Sequence, residues 1–301
     1  MKNTNSDRPQ FKFDLPVVGA MRLGQWGEKF STTDYLEFIK ACLNLGITDF
    51  DHADIYGHYT TEAEFGEALK LESSLRDKMR LITKCGIKIL SPNRPSHGMK
   101  SYDTSGEHIK LSVENSLRYF NTDYIDLLLI HRPDILMNAE EIASCFSELE
   151  ASGKVRYFGV SNFTPSQFKL INDMFPLVTN QVEASPLHLN PFHDGCFDQC
   201  QMHNIQPMIW SPFGGGQLFS ESDEESIQRI QSSAKQLARK YNCSIDQFIL
   251  AWISMHPSNP AIVLGTSKTE RIKKAISAQL IKLTREDWYE FYTDCRGEEI
   301  A

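Results

Sequence analysis

Apolar positions in this chain follow two alternating patterns. Short, dense runs rich in Val, Ile, Leu and Phe recur at 16–20, 47–51, 80–84, 125–130, 157–161, 178–182, 206–210 and 261–265. Between them, apolar residues return every three or four positions, at 33–45, 61–70, 106–120, 139–152, 165–174, 192–203, 225–241 and 269–278. Two more such stretches cover 244–255 and 284–294. A period near 3.6 marks an amphipathic helix, and a compact run bounded by turn residues marks a buried strand. The pattern therefore predicts strand and helix in strict alternation. Runs that are apolar on both faces belong to parallel sheets.

Eight strand–helix units in series predict a closed (β/α)8 TIM barrel over residues 11–301, as a single domain of α/β class. The competing parallel fold, a doubly wound sheet, needs Gly-x-Gly-x-x-Gly between its first strand and helix. Here that stretch holds Gly19, Gly24 and Gly27, which is the wrong spacing. No Pro/Ser/Gly linker divides the chain. One connection stands out: 91–108, after the third strand, is long and polar and holds Pro92 and Pro95. Long loops of this kind are functional or mobile.

Composition narrows the function classes. The net charge is −8, from 31 Lys and Arg against 39 Asp and Glu, which argues against nucleic-acid binding through clustered cations. The longest apolar cluster, 124–130, is far shorter than a membrane span and contains Asp126. Residues 1–10 are polar, without the apolar stretch of a secretory leader, and are expected to form a flexible tail. The seven cysteines, at 42, 85, 145, 196, 200, 243 and 295, are odd in number and scattered. They read as reduced thiols of a cytoplasmic protein. Cys196 and Cys200 could share a helix face, but no partner completes a metal site, and none is expected.

In such barrels chemistry sits at the C-terminal ends of the strands. The second strand ends in Asp51, the third in Lys84 and the fourth in His131, and Tyr56 follows Asp51 by five positions. An isolated Asp–Lys pair would be read as a structural ion pair. Tyr56 and His131 change that reading. A phenol has a pKa of about 10, too high for easy proton exchange at neutral pH, and a neighbouring ammonium lowers it. Such a Tyr can give a proton to a developing alkoxide, and a neutral His can hold the same oxygen. Asp51, Tyr56, Lys84 and His131 form a set suited to reducing a carbonyl.

These residues bring a resemblance with them. Asp51-x4-Tyr56-Gly57, Thr83-Lys84, Leu129-Ile130-His131, the run from Gly153-Lys154-Val155-Arg156 to Gly159-Val160-Ser161-Asn162-Phe163, and Asn180-Gln181-Val182-Glu183 match in order the motifs of the aldo-keto reductase superfamily. The chain resembles that superfamily from about Gly19 to Arg271. Phe50–Gly57 and His131-Arg132-Pro133-Asp134 are most similar to its bacterial oxidoreductase branch.

The resemblance implies roles residue by residue. Tyr56 would be the general acid in reduction, Lys84 with Asp51 would tune it, and His131 would orient the carbonyl. Ser161, Asn162 and Gln181 would hold the nicotinamide carboxamide, and Trp210 would stack on the ring. Ser211 and the loop Gly214, Gly215, Gly216, Gln217 and Leu218 would run along the pyrophosphate. The phosphate end can also be argued from the residues alone. Gly265, Thr266, Ser267, Lys268 and Arg271 follow the last strand and open a helix with hydroxyls and two cations, where barrels commonly bind phosphate. The expected cofactor is NADPH/NADP, with NADH weaker. Arg22 and Trp26, just after the first strand, are assigned to the substrate at the barrel mouth; for Arg22 a salt bridge fits equally well.

Two positions depart from the superfamily pattern: Gly86 stands where a large aromatic is common, and Gly265 where a Lys is common. His52 and His58 read as pocket lining or polar surface. Asp49 shares a strand face with Asp51, and nothing in the sequence accounts for it. The reading is an NADPH-dependent reductase of aldehydes or ketones acting on a small-molecule carbonyl substrate; the sequence leaves the oligomeric state open, and a monomer is compatible with it. The alternatives are a nucleotide-binding regulatory or sensing subunit with slow turnover, similar to the potassium-channel β-subunits of the same superfamily, and a barrel hydrolase or lyase using Asp51 and His131.

Overall fold

In a computed structural model, which describes residues 10–300, eight parallel strands close into a barrel. The expected tail lies outside the described residues apart from Gln10. The barrel strands are β1 (Val17–Gly19), β2 (Asp49–Asp51), β3 (Arg80–Cys85), β6 (Ile125–Ile130), β7 (Val155–Ser161), β8 (Asn180–Glu183), β9 (Met208–Trp210) and β10 (Ala261–Leu264), with β1 pairing both β2 and β10. β4 (Ile87–Lys88) and β5 (Ser101–Tyr102) form a small antiparallel hairpin outside the barrel.

The helices follow the predicted order: α1 (Thr32–Asn44), α2 (Thr61–Leu71), α3 (Gly106–Phe120), α4 (Ala139–Ala151), α5 (Pro165–Asn172), α6 (Cys196–His203), α7 (Glu225–Lys240), α8 (Ile245–Ser254), α9 (Thr269–Ala278) and α10 (Arg285–Arg296). Local chemistry sets their ends. Ser31 and Thr164 open α1 and α5 through reciprocal capping boxes with Asp34 and Gln167. Gly297, in the left-handed region at φ 80°, closes α10. The stretch expected as one helix over 192–203 is broken, because Gly195 adopts φ 85° and α6 starts only at Cys196. None of these helices is long and apolar enough to cross a membrane among the described residues.

Alternation along the strands divides inside from outside. Ile82, Leu127, Leu129, Met208 and Val263 join one buried cluster within the barrel, while Leu81, Leu128, Ile130 and Ile262 pack outward against the helices. By the same parity Lys84, two residues after Ile82, points inward, and His52, one after Asp51, points outward.

The floor of the barrel is closed by Phe11 and Phe13, whose rings meet edge to face at 5.0 Å. The Arg80 guanidinium lies 4.3 Å from the centre of the Phe11 ring and donates to Asp49 at 2.6 Å. That contact accounts for Asp49. Its carboxylate is buried beneath the barrel, and burial pushes its pKa up while Arg80 and Thr48 hold it down. α2 and α3 approach closely enough that a Cβ on Gly66 would fall 1.8 Å from the Tyr119 carbonyl oxygen, so that position admits only glycine.

Candidate active site

Lys84 reaches the barrel axis from β3 with 1% of its surface exposed. Its ammonium has three N–H groups: one is shared between the two carboxylate oxygens of Asp51, at 2.8 and 2.7 Å, and one goes to the His52 carbonyl at 2.7 Å. It also lies 3.2 Å from the Tyr56 hydroxyl. An ammonium can only donate, so the Tyr56 oxygen accepts from Lys84 and its own proton is turned elsewhere. No other protein partner holds that hydroxyl among the described residues. Tyr56 is placed by a tight turn after β2: its amide donates to the Ala53 carbonyl at 3.1 Å, and Gly57 follows in the left-handed region at φ 59°. A Cβ on Gly57 would meet the Thr61 hydroxyl at 2.5 Å.

The charges act on one another through this dry site. Burial raises the Tyr56 pKa; Lys84 pulls it back down without cancelling the rise, and Asp51 adds to it. The sequence expectation of a lowered phenol pKa is therefore met only in the direction of the lysine's contribution. Net, the hydroxyl is protonated, as a proton donor must be. Burial opposes the Lys84 charge, but Asp51 and Tyr56 outweigh it and its pKa is raised. Burial, Lys84 and Arg132 together push His131 well below the ordinary imidazole value, so it is neutral. Its ring meets Tyr56 edge on at 6.1 Å, and its Nδ1 is buried with no partner among the described residues.

The strand register brings the remaining groups alongside. Ser161 of β7 and Gln181 of β8 are register partners, and the Asn162 amide continues the ladder to the Gln181 carbonyl at 2.8 Å. Gln181 Nε2 donates to Asp51 Oδ1 at 3.1 Å. Asn162, at φ 62°, donates to the Ser161 hydroxyl at 2.8 Å and accepts from the Trp210 indole N–H at 3.1 Å, which fixes that ring at the end of β9.

Asp51, Tyr56, His131, Ser161, Asn162, Gln181 and Trp210, but not Lys84, line one cavity of about 1110 Å³ at the C-terminal mouth of the barrel. It extends past Ser211, Gly215 and Gly216 to Gly265, Thr266 and Arg271, and includes Arg22 and Trp26 on the wall after β1. A Cβ on Gly215, Gly216 or Gly265 would meet nothing within 4 Å, which leaves room for a ligand to approach the backbone. Lys268 at the start of α9 makes no side-chain cap; its own amide donates to the Thr266 hydroxyl and that of Arg271 to the Lys268 carbonyl, which leaves the Thr269 and Glu270 amides to meet an anion. The cavity thus fits a long ligand with a planar ring at one end and phosphates at the other.

Not every expected residue faces it. Gly214, Gln217, Ser267 and Lys268 do not line the cavity. Leu218 is buried in the apolar core, and Gly214 packs on Leu187. The Ser267 hydroxyl donates to Glu28 at 3.1 Å. Arg22 makes no salt bridge among the described residues; its Nη2 reaches the Gly215 carbonyl at 3.5 Å across the mouth. His52 is fully buried between Phe65 and Phe120, with its pKa pushed down to about 3 by burial and by Lys84, so it is neither pocket lining nor surface. His58 is exposed against Trp26. Sequence reasoning missed Arg132, Lys100, Tyr102, Phe213 and Asp246, all of which line the cavity. Arg132 was adjacent to a named residue. The others sit on loops, in the two-residue strand β5 or on α8, where no periodicity points at the cavity.

A smaller cleft of about 440 Å³ lies outside the mouth beside Phe30, Tyr59 and Glu64, whose carboxylate is taken by Tyr35 and Thr60. No cluster of three or more potential metal ligands occurs among the described residues.

Comparison with known proteins agrees with this geometry. The model of the aldo/keto reductase family matches residues 17–292. The chain is 43% identical over 292 residues to the oxidoreductase YdhF of Escherichia coli, covering 96% of each. It is 43% identical over 287 residues to a 6-dehydroglucose reductase of Agrobacterium fabrum, covering 95% of each. Among solved structures, a thermostable aldo-keto reductase in complex with the inhibitor epalrestat superposes with a TM-score of 0.75 at 25% identity, over 92% of this chain and 94% of that one.

The buried pair makes a prediction about stability. Lys84→Met leaves the Asp51 carboxylate buried without its counter-ion and should cost about 3–5 kcal/mol. Adding Asp51→Asn should recover part of that loss, because no charge is then stranded. Urea unfolding of the two single variants and the double variant measures this. Losses that simply add would mean the two side chains do not act as a pair.

Proposed function

The chain belongs to the aldo/keto reductase family, and from that premise we propose that it reduces aldehydes or ketones to alcohols with Tyr56 as general acid and NADPH as preferred cofactor. The observation that carries this reading is the Tyr56 hydroxyl: it accepts from a buried ammonium and keeps its proton for the cavity. When bound, the reduced nicotinamide supplies a hydride. Ser161, Asn162 and Gln181 offer hydroxyl and amide groups at the ring end, and the Trp210 indole, held by Asn162, offers a flat face for stacking. Gly215, Gly216 and the free start of α9 suit the phosphates.

The chain's own residues would do the proton chemistry. Neutral His131 and the Tyr56 hydroxyl converge on the carbonyl oxygen and orient it. As negative charge develops there, Tyr56 gives up its proton, and the phenolate that remains is stabilised by Lys84 at 3.2 Å. Asp51 keeps Lys84 charged and in place. The relatives named 6-dehydroglucose reductases support an aldehyde as the reducible group.

Tyr56→Phe should lower kcat by at least about 100-fold, the scale of general acid catalysis, and leave nucleotide affinity close to that of the wild type. Steady-state rates with a broad aldehyde panel, beside a fluorescence titration of NADPH, check both parts. Retention of more than about a tenth of the wild-type rate would remove Tyr56 from the acid role. It would also reopen the reading of a nucleotide sensor.

Arg271 carries the cofactor preference in this account. NADPH differs from NADH by a ribose phosphate, and the exposed Arg271 lines the cavity at the first turn of α9. A charge-assisted hydrogen bond contributes about 1.5–3 kcal/mol. Arg271→Ala should therefore weaken NADPH about ten- to a hundredfold and hardly move NADH. Titration of both cofactors decides it: an equal fall in both would show that Arg271 supports the loop instead.

A further inference from the structure

Four cationic side chains line the cavity, Arg22, Lys100, Arg132 and Arg271, against two carboxylates, Asp51 and Asp246, in a chain whose net charge is −8. Asp51 is already paired with Lys84. Arg271 and Arg22 stand beside α9 and Gly215, where the nucleotide phosphates are proposed to lie. Arg132 and Lys100 are different. Arg132 directly follows His131 at the end of β6, and its guanidinium lies 5.6 Å from the centre of the Trp210 ring. Its charge is near enough to lower the pKa of both Tyr56 and His131. It is therefore at the end of the cavity where the carbonyl would be reduced, and the nicotinamide ring brings no anion there.

Arg132 is half-buried and has no carboxylate partner among the described residues. The nearest acid in sequence, Asp134, is occupied: it accepts from the Leu136 amide at 2.9 Å and the Thr104 hydroxyl at 3.3 Å. Lys100, from the segment between β4 and β5, is exposed, lines the same cavity and makes no ion pair among the described residues. A partly buried guanidinium without a counter-ion is costly, and a ligand that brings the anion offsets that cost. The planar fork of Arg suits a carboxylate in particular.

We infer that this site takes a carbonyl compound bearing a carboxylate a short chain away from the reducible group, with Arg132 as its anchor and Lys100 as a second cation on the rim. The inference rests on the reductase reading and adds the class of substrate. Arg132 is here a specificity-determining residue; it takes no part in the proton transfer.

The test compares two aldehydes of one skeleton, 4-oxobutanoate and its methyl ester, by kcat/KM with NADPH. The wild type should favour the acid at least about tenfold, the scale of one charge-assisted hydrogen bond. In Arg132→Met the ratio should fall to near one, and Arg132→Lys, which keeps the charge, should give an intermediate ratio. Lys100→Met should reduce the ratio by less. A wild-type ratio of one or below, as for an enzyme of uncharged sugar aldehydes, would overturn the inference. So would a tenfold ratio that survives in Arg132→Met. If neither aldehyde is turned over, the reductase reading is what fails. Calorimetric titration of succinate then decides the subsite: a tenfold weakening in Arg132→Met supports it, and equal affinity or no binding to the wild type overturns it.

Discussion

The molecule is organised around one ammonium group that water does not reach. Lys84 sits inside a barrel otherwise lined with Ile82, Leu127, Leu129 and Val263, where an isolated charge would be prohibitive. It is tolerated because Asp51 meets it with two oxygens and the His52 carbonyl with a third. The remaining polar neighbour is the Tyr56 hydroxyl. Because Lys84 has no lone pair to offer, the hydroxyl must accept from it and direct its own proton elsewhere. The ion pair and the direction in which the Tyr56 proton points are thus consequences of a single buried side chain.

The barrel supplies the positions this arrangement needs. Parallel register sets Asp51 opposite Ile82, Lys84 opposite Leu129, and Ser161 opposite Gln181, so groups distant in sequence arrive at one level of the mouth. The opposite end is sealed by Phe11, Phe13 and the Arg80–Asp49 pair. Rigidity below and loops above let a fixed Tyr56 hydroxyl face a cavity wall built from loops. That wall carries Ile87, Ile89, Lys100 and Tyr102 of the β4–β5 segment, whereas Gly86 does not line the cavity and a Cβ on it would face Thr104 and Ile130.

Much of this was readable in the sequence, for physical reasons. Asp51, Lys84, His131 and Ser161 lie within one residue of strand ends, and Gln181 lies inside β8; there a strong apolar run announces the strand and topology fixes the side of the barrel. His52 could have been placed the same way, since it is one step out of parity with Asp51, and it does point outward between Phe65 and Phe120. Loops are less legible. No period says that Gly215 opens to the cavity while Leu218 turns into the core. Ser267 finds its partner in Glu28, 239 positions away. The β4–β5 hairpin has two residues in each strand, too few for alternation to register, and Gly195 interrupts a helix whose apolar spacing continues through it.

The central claim, that Lys84 governs the ionisation of Tyr56, is tested most directly by the pH dependence of the reverse reaction. In the proposed mechanism alcohol oxidation uses Tyr56 as the base, so its rate should rise as the phenol ionises. Burial raises that pKa and the Lys84 charge holds the rise in check. Removing the charge must therefore move the rising limb to higher pH, and keeping it must not. The measurement is kcat/KM for alcohol oxidation against pH in the wild type, Lys84→Met and Lys84→Arg, with a deuterium isotope effect showing that hydride transfer limits the rate. The account predicts an alkaline shift in Lys84→Met and little shift in Lys84→Arg. A profile in Lys84→Met that coincides with the wild type would contradict it, and Lys84 would then serve only to fill and hold the barrel.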